Sequence, residues 1–360
     1  MKIMVITNHS YMLYQFRREL IQKLLDEKNE VVLVMPFVGH EQDFKEMGCT
    51  CVPIEMKRRS INPFSDLKLL KDYKKILLEQ KPDKVITYSI KPNIYSGMLC
   101  RHYKIPYYAN VQGLGSAFER RTLAMCVSIL YKRALKYAKR VFFENQGDAN
   151  VFTNNSLIKL NQACVVHGAG VNLERYSYQE YPQDDVIHFI FVGRIMKEKG
   201  IDELFYTAKK MKELYGEKVV FDLVGFFEDE YKDIVNELNE QGIISYHGFQ
   251  EDVRPFLTKS HCLLLPSYHE GMANTILEAS AMGRPVIVSD ISGCKEGVIE
   301  DKSGYLVEVK NSRSLFEKVE QFYRLPAVEK EKMGLTARRF MEKEFDKTAV
   351  VETTYKELML

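Results

Sequence analysis

The chain has 360 residues, 46% hydrophobic and 28% charged, a composition ordinary for a soluble globular protein with room for two domains. No apolar run reaches the length of a membrane span, Met1-Lys2-Ile3-Met4-Val5-Ile6 reads as a first strand and not a signal peptide, and seven cysteines without metal-type spacing suit a reducing cytosol. The net charge of +2 hides an asymmetry: residues 1–170 carry 26 basic against 15 acidic side chains, residues 171–360 carry 25 against 34.

In chain order, short runs rich in Val, Ile and Tyr predict strands at Ile3–Thr7, Glu30–Pro36, Cys49–Ile54, Asp83–Ser89, Pro106–Val111 and Arg140–Glu144. Helical periodicity lies between most of them, as at Phe16–Lys28 and Asp66–Glu79. Strands alternating with helices imply a parallel sheet with right-handed crossovers. Val165–Gly170 reads as a last short strand, and residues 171–187, polar and aperiodic, as a linker. The alternation then restarts, with strands at His188–Val192, Val219–Val224, Ser245–His247, Leu263–Leu265 and Pro285–Ser289. Helices are expected at Gly200–Tyr215, Glu230–Gln241, Val253–Lys259 and Met272–Met282, with helical material again from Ser314 onward. The fold class is α/β, two Rossmann-like domains with a cleft implied between them. The first is expected over 1–170 plus a returning C-terminal helix at about 346–360, the second over 171–345.

The chemistry concentrates in the second half. Glu270 lies in the loop after one strand, and Glu278 about two turns up the following helix. Ligands of open α/β sheets bind at the carboxyl ends of strands against helix amino ends. One carboxylate can therefore accept from hydroxyls at a ligand's near end and the other from hydroxyls farther along, while the amides of Gly271, Met272 and Ala273 between them can hold an anion. A sugar nucleotide has that layout of hydroxyls, diphosphate and hydroxyls. The second unit opens with Gly193-Arg194-Ile195-Met196-Lys197-Glu198-Lys199-Gly200, where Arg194 offers a planar fork of donors and Lys199 a point charge, both suited to a diphosphate.

Gly193-Arg194 with Lys199-Gly200, Glu270-x7-Glu278, Gly283-Arg284-Pro285-Val286-Ile287, Gly293-x-x-Glu296 and the glycine turn in Asp301–Val307 together resemble the retaining GT-B glycosyltransferases of family 4. In the first half, Phe16-Arg17 with Leu20-Ile21, Lys91-Pro92-Asn93 and Gly113-Leu114-Gly115-Ser116-Ala117-Phe118 resemble the branch that builds capsule, O-antigen and glycan chains on polyprenyl-diphosphate carriers. The resemblance implies that Arg194 and Lys199 hold the donor diphosphate, Glu278 the ribose and Glu270 the donor sugar, so that Glu270, Arg194 and Lys199 are the catalytic candidates. Gly193 and the amides of Gly271, Met272, Ala273 and Asn274 line the pocket, and the segment around Phe249 reads the base. His9, Tyr11, Lys91, Asn93, Gln112, Gly113 and Gly115 are the acceptor-side candidates of the cleft. The chain departs from its relatives in carrying Asn8-His9-Ser10-Tyr11 where many have paired glycines, and Asn110–Gly115 where many have a histidine.

No Asp-x-Asp occurs, so metal-independent chemistry without a cofactor is expected, the arginine-lysine pair handling the diphosphate charge. Glu228-Asp229-Glu230 is read as capping a helix, and His167, His188, His247 and His261 as satisfied structural histidines. Lys132, Lys136 and Lys139 follow a helical spacing over Thr122–Ala138. With Arg133, Arg140, Arg120, Arg121 and Lys57-Arg58-Arg59 they could dock on anionic headgroups, placing the chain at the inner face of the cell membrane. Nucleic acid is not an expected partner. The expected reaction is transfer of a hexose or N-acetylhexosamine from a UDP-sugar to a polyprenyl-diphosphate-linked saccharide. The rivals are a nucleotide-sugar epimerase on the same fold, a dinucleotide oxidoreductase, for which no Gly-x-Gly-x-x-Gly exists, and a non-catalytic sugar-nucleotide-binding protein.

Overall fold

The computed structural model describes residues 1–56, 63–114 and 121–360. The chain forms two compact units, Met1–Ala169 joined by Thr348–Leu360, and Gly170–Lys347. Among the described residues the first holds seven parallel strands: β1 (Lys2–Ile6), β2 (Glu30–Met35), β3 (Thr50–Pro53), β4 (Lys84–Tyr88), β5 (Tyr107–Val111), β6 (Arg140–Phe143) and β7 (Ala163–Val165), in the order β3-β2-β1-β4-β5-β6-β7. The second holds β8 (Ile187–Val192), β9 (Val219–Val224), β10 (Ser245–Tyr246), β11 (Cys262–Leu265), β12 (Val286–Ser289) and β13 (Gly304–Val307), in the order β10-β9-β8-β11-β12-β13.

The central strands are near-continuous apolar runs because helices cover both faces of each sheet. Ile3–Ile6, Val31–Met35 and Cys262–Leu265 are buried throughout. Both sheets reverse their winding at one place. β1 pairs with β2 on one side and β4 on the other, and β8 pairs with β9 and β11. At such a switch point two neighbouring loops diverge and leave a crevice at the strands' carboxyl ends.

Several local expectations need correction. Residues 171–187 are no linker. Val171 bridges to Asp346, Tyr176 and Tyr181 are buried, and the strap is clamped by Arg284. That guanidinium is fully buried. It donates to the carbonyls of Gln179 (3.0 Å) and Glu180 (3.0 Å) in the strap, Leu257 (2.9 Å) and Thr258 (2.8 Å) in the helix Arg254–Lys259, and Met282 (3.1 Å). Burial lowers its pKa to about 10. The Asp301–Val307 turn runs into a sheet strand, β13. The helix expected over Thr122–Ala138 spans Arg121–Leu135 and ends there, because Lys139 N–H must reach Tyr107 O to start β6. Lys136 and Lys139 therefore lie beyond the helix and do not continue a face from Lys132, while Arg140 is paired with Glu357 (2.6 Å). Lys57, Arg58, Arg59, Gly115, Ser116, Ala117, Phe118 and Arg120 lie outside the described residues, as does the side chain of Arg121. Arg17 of the Phe16-Arg17 motif is a buried clamp, bonded to Glu144 (2.5 Å) and to Gly168 O (3.2 Å). Among the described residues no helix is long and apolar enough to cross a membrane.

Replacing Arg284 with Met leaves several buried carbonyls without donors. Arg284→Met is expected to cost about 3 kcal/mol, read as a lower urea midpoint. A change below about 1 kcal/mol would show that the strap is held by its tyrosines alone.

Candidate functional site

The β8/β11 switch point of the second unit gathers most of the residues singled out in the sequence. After β8, Gly193 N–H donates to Val224 O (3.0 Å), and the chain turns through a short 3-10 segment, Lys197–Lys199, to Gly200. Gly200 has φ +70°, and a Cβ there would lie 2.1 Å from Pro266 O, so the turn presses on the end of β11 at a contact only glycine permits. A second stitch, Tyr268 N–H to Glu198 O (2.8 Å), fixes the register of the two loops. Lys199 Nζ thereby meets Glu270, both side chains mostly buried, in a direct ion pair with the Oε1 oxygen. Tyr268, two residues earlier, donates its hydroxyl to the buried Glu203 carboxylate (2.9 and 3.0 Å).

The Glu270-Gly271 turn is backed by Gly293. With φ +89°, Gly293 lies so close that a Cβ would stand 2.4 Å from Glu270 O and 2.6 Å from Gly271 O. Its N–H donates to the Glu296 carboxylate (2.7 Å), which accounts for the Gly293-x-x-Glu296 spacing. Its carbonyl accepts from Ala273 N–H (2.9 Å). Ala273 is therefore not among the amides open to an anion, contrary to the reading from sequence. Met272 and Ala273 are both buried, and the helix starts two residues later than expected, at Asn274. Asn274 Oδ1 is buried without a hydrogen-bond partner.

Arg194 is half-exposed and pairs with Glu228 (3.3 Å). Glu228-Asp229-Glu230 does not cap a helix, since the next one spans Lys232–Glu240. Instead the loop after β9 folds over the loop after β8. Glu228 and Asp229 N–H donate to Ile195 O (3.1 and 3.4 Å), and the Asp229 carboxylate accepts from Lys197 N–H (2.9 Å). Glu228 was missed as an arginine partner because its spacing also fits a cap. Arg194 and Lys199 thus each have a carboxylate partner, an arrangement that can hand either cation to an incoming anion.

Glu278 sits in the helix Asn274–Ala281, 8% exposed, beside the Tyr176 hydroxyl. Burial raises its pKa to about 7, against the opposing pull of Tyr176, Arg175 and Lys347. Tyr176 was missed because it lies in the segment taken for a linker. Phe249 follows β10 in an exposed loop. Behind this loop Asp222 accepts from His188 Nδ1 (2.9 Å) and His247 Nε2 (2.7 Å). Burial pushes the Asp222 carboxyl up, but the two imidazole bonds prevail and hold it below the usual range. His261 differs from the other structural histidines: Nδ1 accepts from His188 N–H (3.1 Å), but Nε2 is buried without a partner, and burial lowers its pKa to about 4.

In the first unit the acceptor-side candidates line the carboxyl ends of β1, β4 and β5, neighbours in the sheet. His9 caps the helix Ser10–Asp26, its Nδ1 accepting from Tyr11 N–H (3.1 Å), and the Tyr11 ring stands edge-on to it. Across the β1/β4 switch point, Ser89 donates to Asn8 Oδ1 (2.9 Å) from a strained backbone (φ +75°), a contact no sequence pattern announced. Lys91 pairs with Asp66 (2.7 Å). Asn93 is not a surface ligand. It is buried in the helix Ile90–Tyr103, accepting from Thr87 Oγ1 (2.6 Å) and donating to Asn110 O (2.8 Å), so it ties that helix to β4 and β5. Gln112 Nε2 reaches Met12 Sδ (3.4 Å), and Gly113 adopts φ +107°.

Glu278 supplies a pH test. Its folded pKa lies above the unfolded value of about 4.3, so the folded chain keeps a proton that the unfolded chain has released. That contribution is full below about pH 4 and is lost as pH rises through about 7. Wild-type stability should fall across this window relative to Glu278→Gln, and parallel profiles from urea melts would contradict the assignment.

Two family models match the chain. The one described as "Glycosyl transferases group 1" matches residues 174–340, and "Glycosyl transferase 4-like" matches residues 2–145. The chain is 29% identical over 337 residues to the Campylobacter jejuni N,N'-diacetylbacillosaminyl-diphospho-undecaprenol alpha-1,3-N-acetylgalactosaminyltransferase, covering 89% of this chain and 88% of the relative. It is 25% identical over 309 residues to the Escherichia coli UDP-Gal:alpha-D-GlcNAc-diphosphoundecaprenol alpha-1,3-galactosyltransferase, covering 80% and 78%. HepE of Anabaena, solved in complex with UDP and glucose, superposes with a TM-score of 0.81 at 15% identity, covering 100% of this chain and 99% of that one. Two Rossmann-like units of this topology, matched over nearly their whole length, make the chain a GT-B protein that belongs to the group 1, family 4-like glycosyltransferases.

Proposed function

We propose that the protein is a retaining, metal-independent transferase that moves a hexose or N-acetylhexosamine from a UDP-sugar to a polyprenyl-diphosphate-linked saccharide. The observation that carries the reading is the Lys199–Glu270 pair at the β8/β11 switch point, with Arg194 in the same loop as Lys199 and Glu278 in the helix that follows Glu270. In this reading Arg194 and Lys199 take the diphosphate and stabilise the charge that grows on it as the bond to the sugar breaks. Glu270, released from Lys199, accepts hydrogen bonds from the donor sugar, and Glu278 accepts from the ribose hydroxyls. The acceptor hydroxyl attacks the anomeric carbon on the face the UDP leaves. The carbon–oxygen bond to the β-phosphate breaks, and the acceptor's proton passes to that phosphate oxygen, so Glu270 forms no covalent bond.

The acceptor class is supported by the two relatives named above, whose substrates are sugars on diphospho-undecaprenol. A place at the inner face of the membrane is supported by that acceptor class and by the basic excess of residues 1–170. The helix Arg121–Leu135 also exposes Met125 and Ile129 near Lys132 and Arg133. Apolar and basic side chains together suit an anionic headgroup layer.

The test is release of UDP from a panel of UDP-sugars, with EDTA present, with and without a polyprenyl-diphosphate-sugar acceptor. One UDP-sugar is expected to give acceptor-dependent release, with the anomeric configuration kept in the product, and Lys199→Ala to lower kcat about 100-fold in the same assay. Turnover of the donor to an isomer without acceptor would favour the epimerase. Tight UDP binding with no turnover of any donor would favour a binding protein.

A further inference from the structure

Two acids are buried among the described residues of the second unit, Glu278 at 8% exposed and Glu203 at 7%. Glu278 has a place in the proposed donor site and Glu203 has none. Glu203 lies in the first turn of the helix Ile201–Tyr215, where the helix dipole eases a negative charge but does not replace the lost water. It accepts from the Tyr268 hydroxyl, which reaches both carboxylate oxygens (2.9 and 3.0 Å). Burial, reinforced by that carboxylate, pushes the Tyr268 phenol well above its usual range, so the hydroxyl keeps its proton. Tyr268 is itself 7% exposed. Its N–H is bonded to Glu198 O (2.8 Å), and Lys310 Nζ stands 4.8 Å from its ring centroid.

This bond joins the same two segments as the Lys199–Glu270 pair. Glu203 follows Lys199 by four residues, and Tyr268 precedes Glu270 by two. The two bridges differ in what a ligand does to them. An anion that takes Lys199 and a hydroxyl that takes Glu270 open the ion pair, while neither competes for a buried carboxylate already bonded to a phenol. Stability alone does not call for a polar bridge here, since two apolar side chains of the same shape can serve as well. A hydrogen bond fixes a distance and a direction, which apolar packing does not. Reacting groups are sensitive to displacements of about 1 Å, so a fixed spacing matters where charge is handled.

We propose that Glu203 and Tyr268 are positioning residues of the donor site, and that their bond keeps the Lys199 and Glu270 loops in register once a ligand has opened the ion pair. The proposal rests on reading the β8/β11 end as the donor site. Neither residue touches the ligand. Both act through Lys199 and Glu270, whose loops they tie together from the buried side.

The test is calorimetric titration of UDP well below the melting range, beside thermal melts, on the wild type, Tyr268→Phe, Glu203→Gln and the double variant Glu203→Leu/Tyr268→Phe. Tyr268→Phe strands the buried carboxylate and is expected to melt about 4 °C lower than the wild type. The double variant removes carboxylate and hydroxyl together, so its melting temperature returns to within about 2 °C of wild type. UDP affinity nevertheless falls about tenfold in both, because opening the ion pair now releases the loops. Glu203→Gln keeps an oxygen for the phenol and holds UDP affinity within about threefold. A double variant that melts like the wild type and binds UDP as tightly overturns the positioning role and leaves the donor site standing. If the double variant does not regain the melting temperature, equal UDP affinity in Tyr268→Phe and Glu203→Gln overturns the role instead. A wild type that binds no UDP overturns the donor-site reading, and this role with it.

Discussion

The contact between the loops that follow β8 and β11 is the constraint on which the rest of the second unit depends. Two glycines make it possible: Gly200 lets the Lys199 turn lie on Pro266 O, and Gly293 lets a neighbouring turn lie on the Glu270 carbonyl. Any side chain at either place would push the loops apart by more than a hydrogen bond tolerates. With the loops closed, Lys199 and Glu270 have nowhere to go but towards each other. The pair is mostly buried, so each group needs a partner, and a ligand that offers an anion to Lys199 and hydroxyl donors to Glu270 can replace the pair while leaving both groups hydrogen-bonded.

The same topology explains why the remaining functional candidates cluster. Both sheets put their switch point between the first strand of the unit and the first strand wound to its other side, β1/β4 and β8/β11. Side chains at those carboxyl ends are the ones that need not fill the core. In the first unit the Asn8–Ser89 bond spans the switch point and Asn93 braces the helix that follows it. In the second, Arg194, Lys199 and Glu270 occupy it.

Much of this was legible in the sequence, and the failures have physical causes. Alternating apolar runs located most strands to within a residue or two, because strands buried on both faces leave few other choices for Val, Ile and Leu. The meeting of the Lys199 and Glu270 loops was legible because cations, glycines and carboxylates recur there at spacings that suit loop–helix junctions. The strap at 171–187 was misread because its anchors are spread out: Tyr176 and Tyr181 sit five residues apart, and the group that fastens it, Arg284, is a hundred residues away. Asn93 looked like a ligand in Lys91-Pro92-Asn93, but its partners Thr87 and Asn110 come from two different strands, which pairing alone reveals. Ala273 N–H seemed free until Gly293 O was seen to take it. Side-chain identity announces chemistry. Which hydrogen bonds are already taken depends on distant residues.

The central claim is that Glu270 holds Lys199 in reserve for the donor diphosphate. Its most direct test is the affinity of Glu270→Gln for UDP and for the UDP-sugar that the wild type uses. A neutral amide holds Lys199 less firmly than a carboxylate does. UDP, which lacks the sugar, should therefore bind the variant at least as tightly as the wild type, while the UDP-sugar loses its contact and binds more weakly. Weaker binding of UDP itself, in a variant that unfolds at the wild-type temperature, would contradict the account.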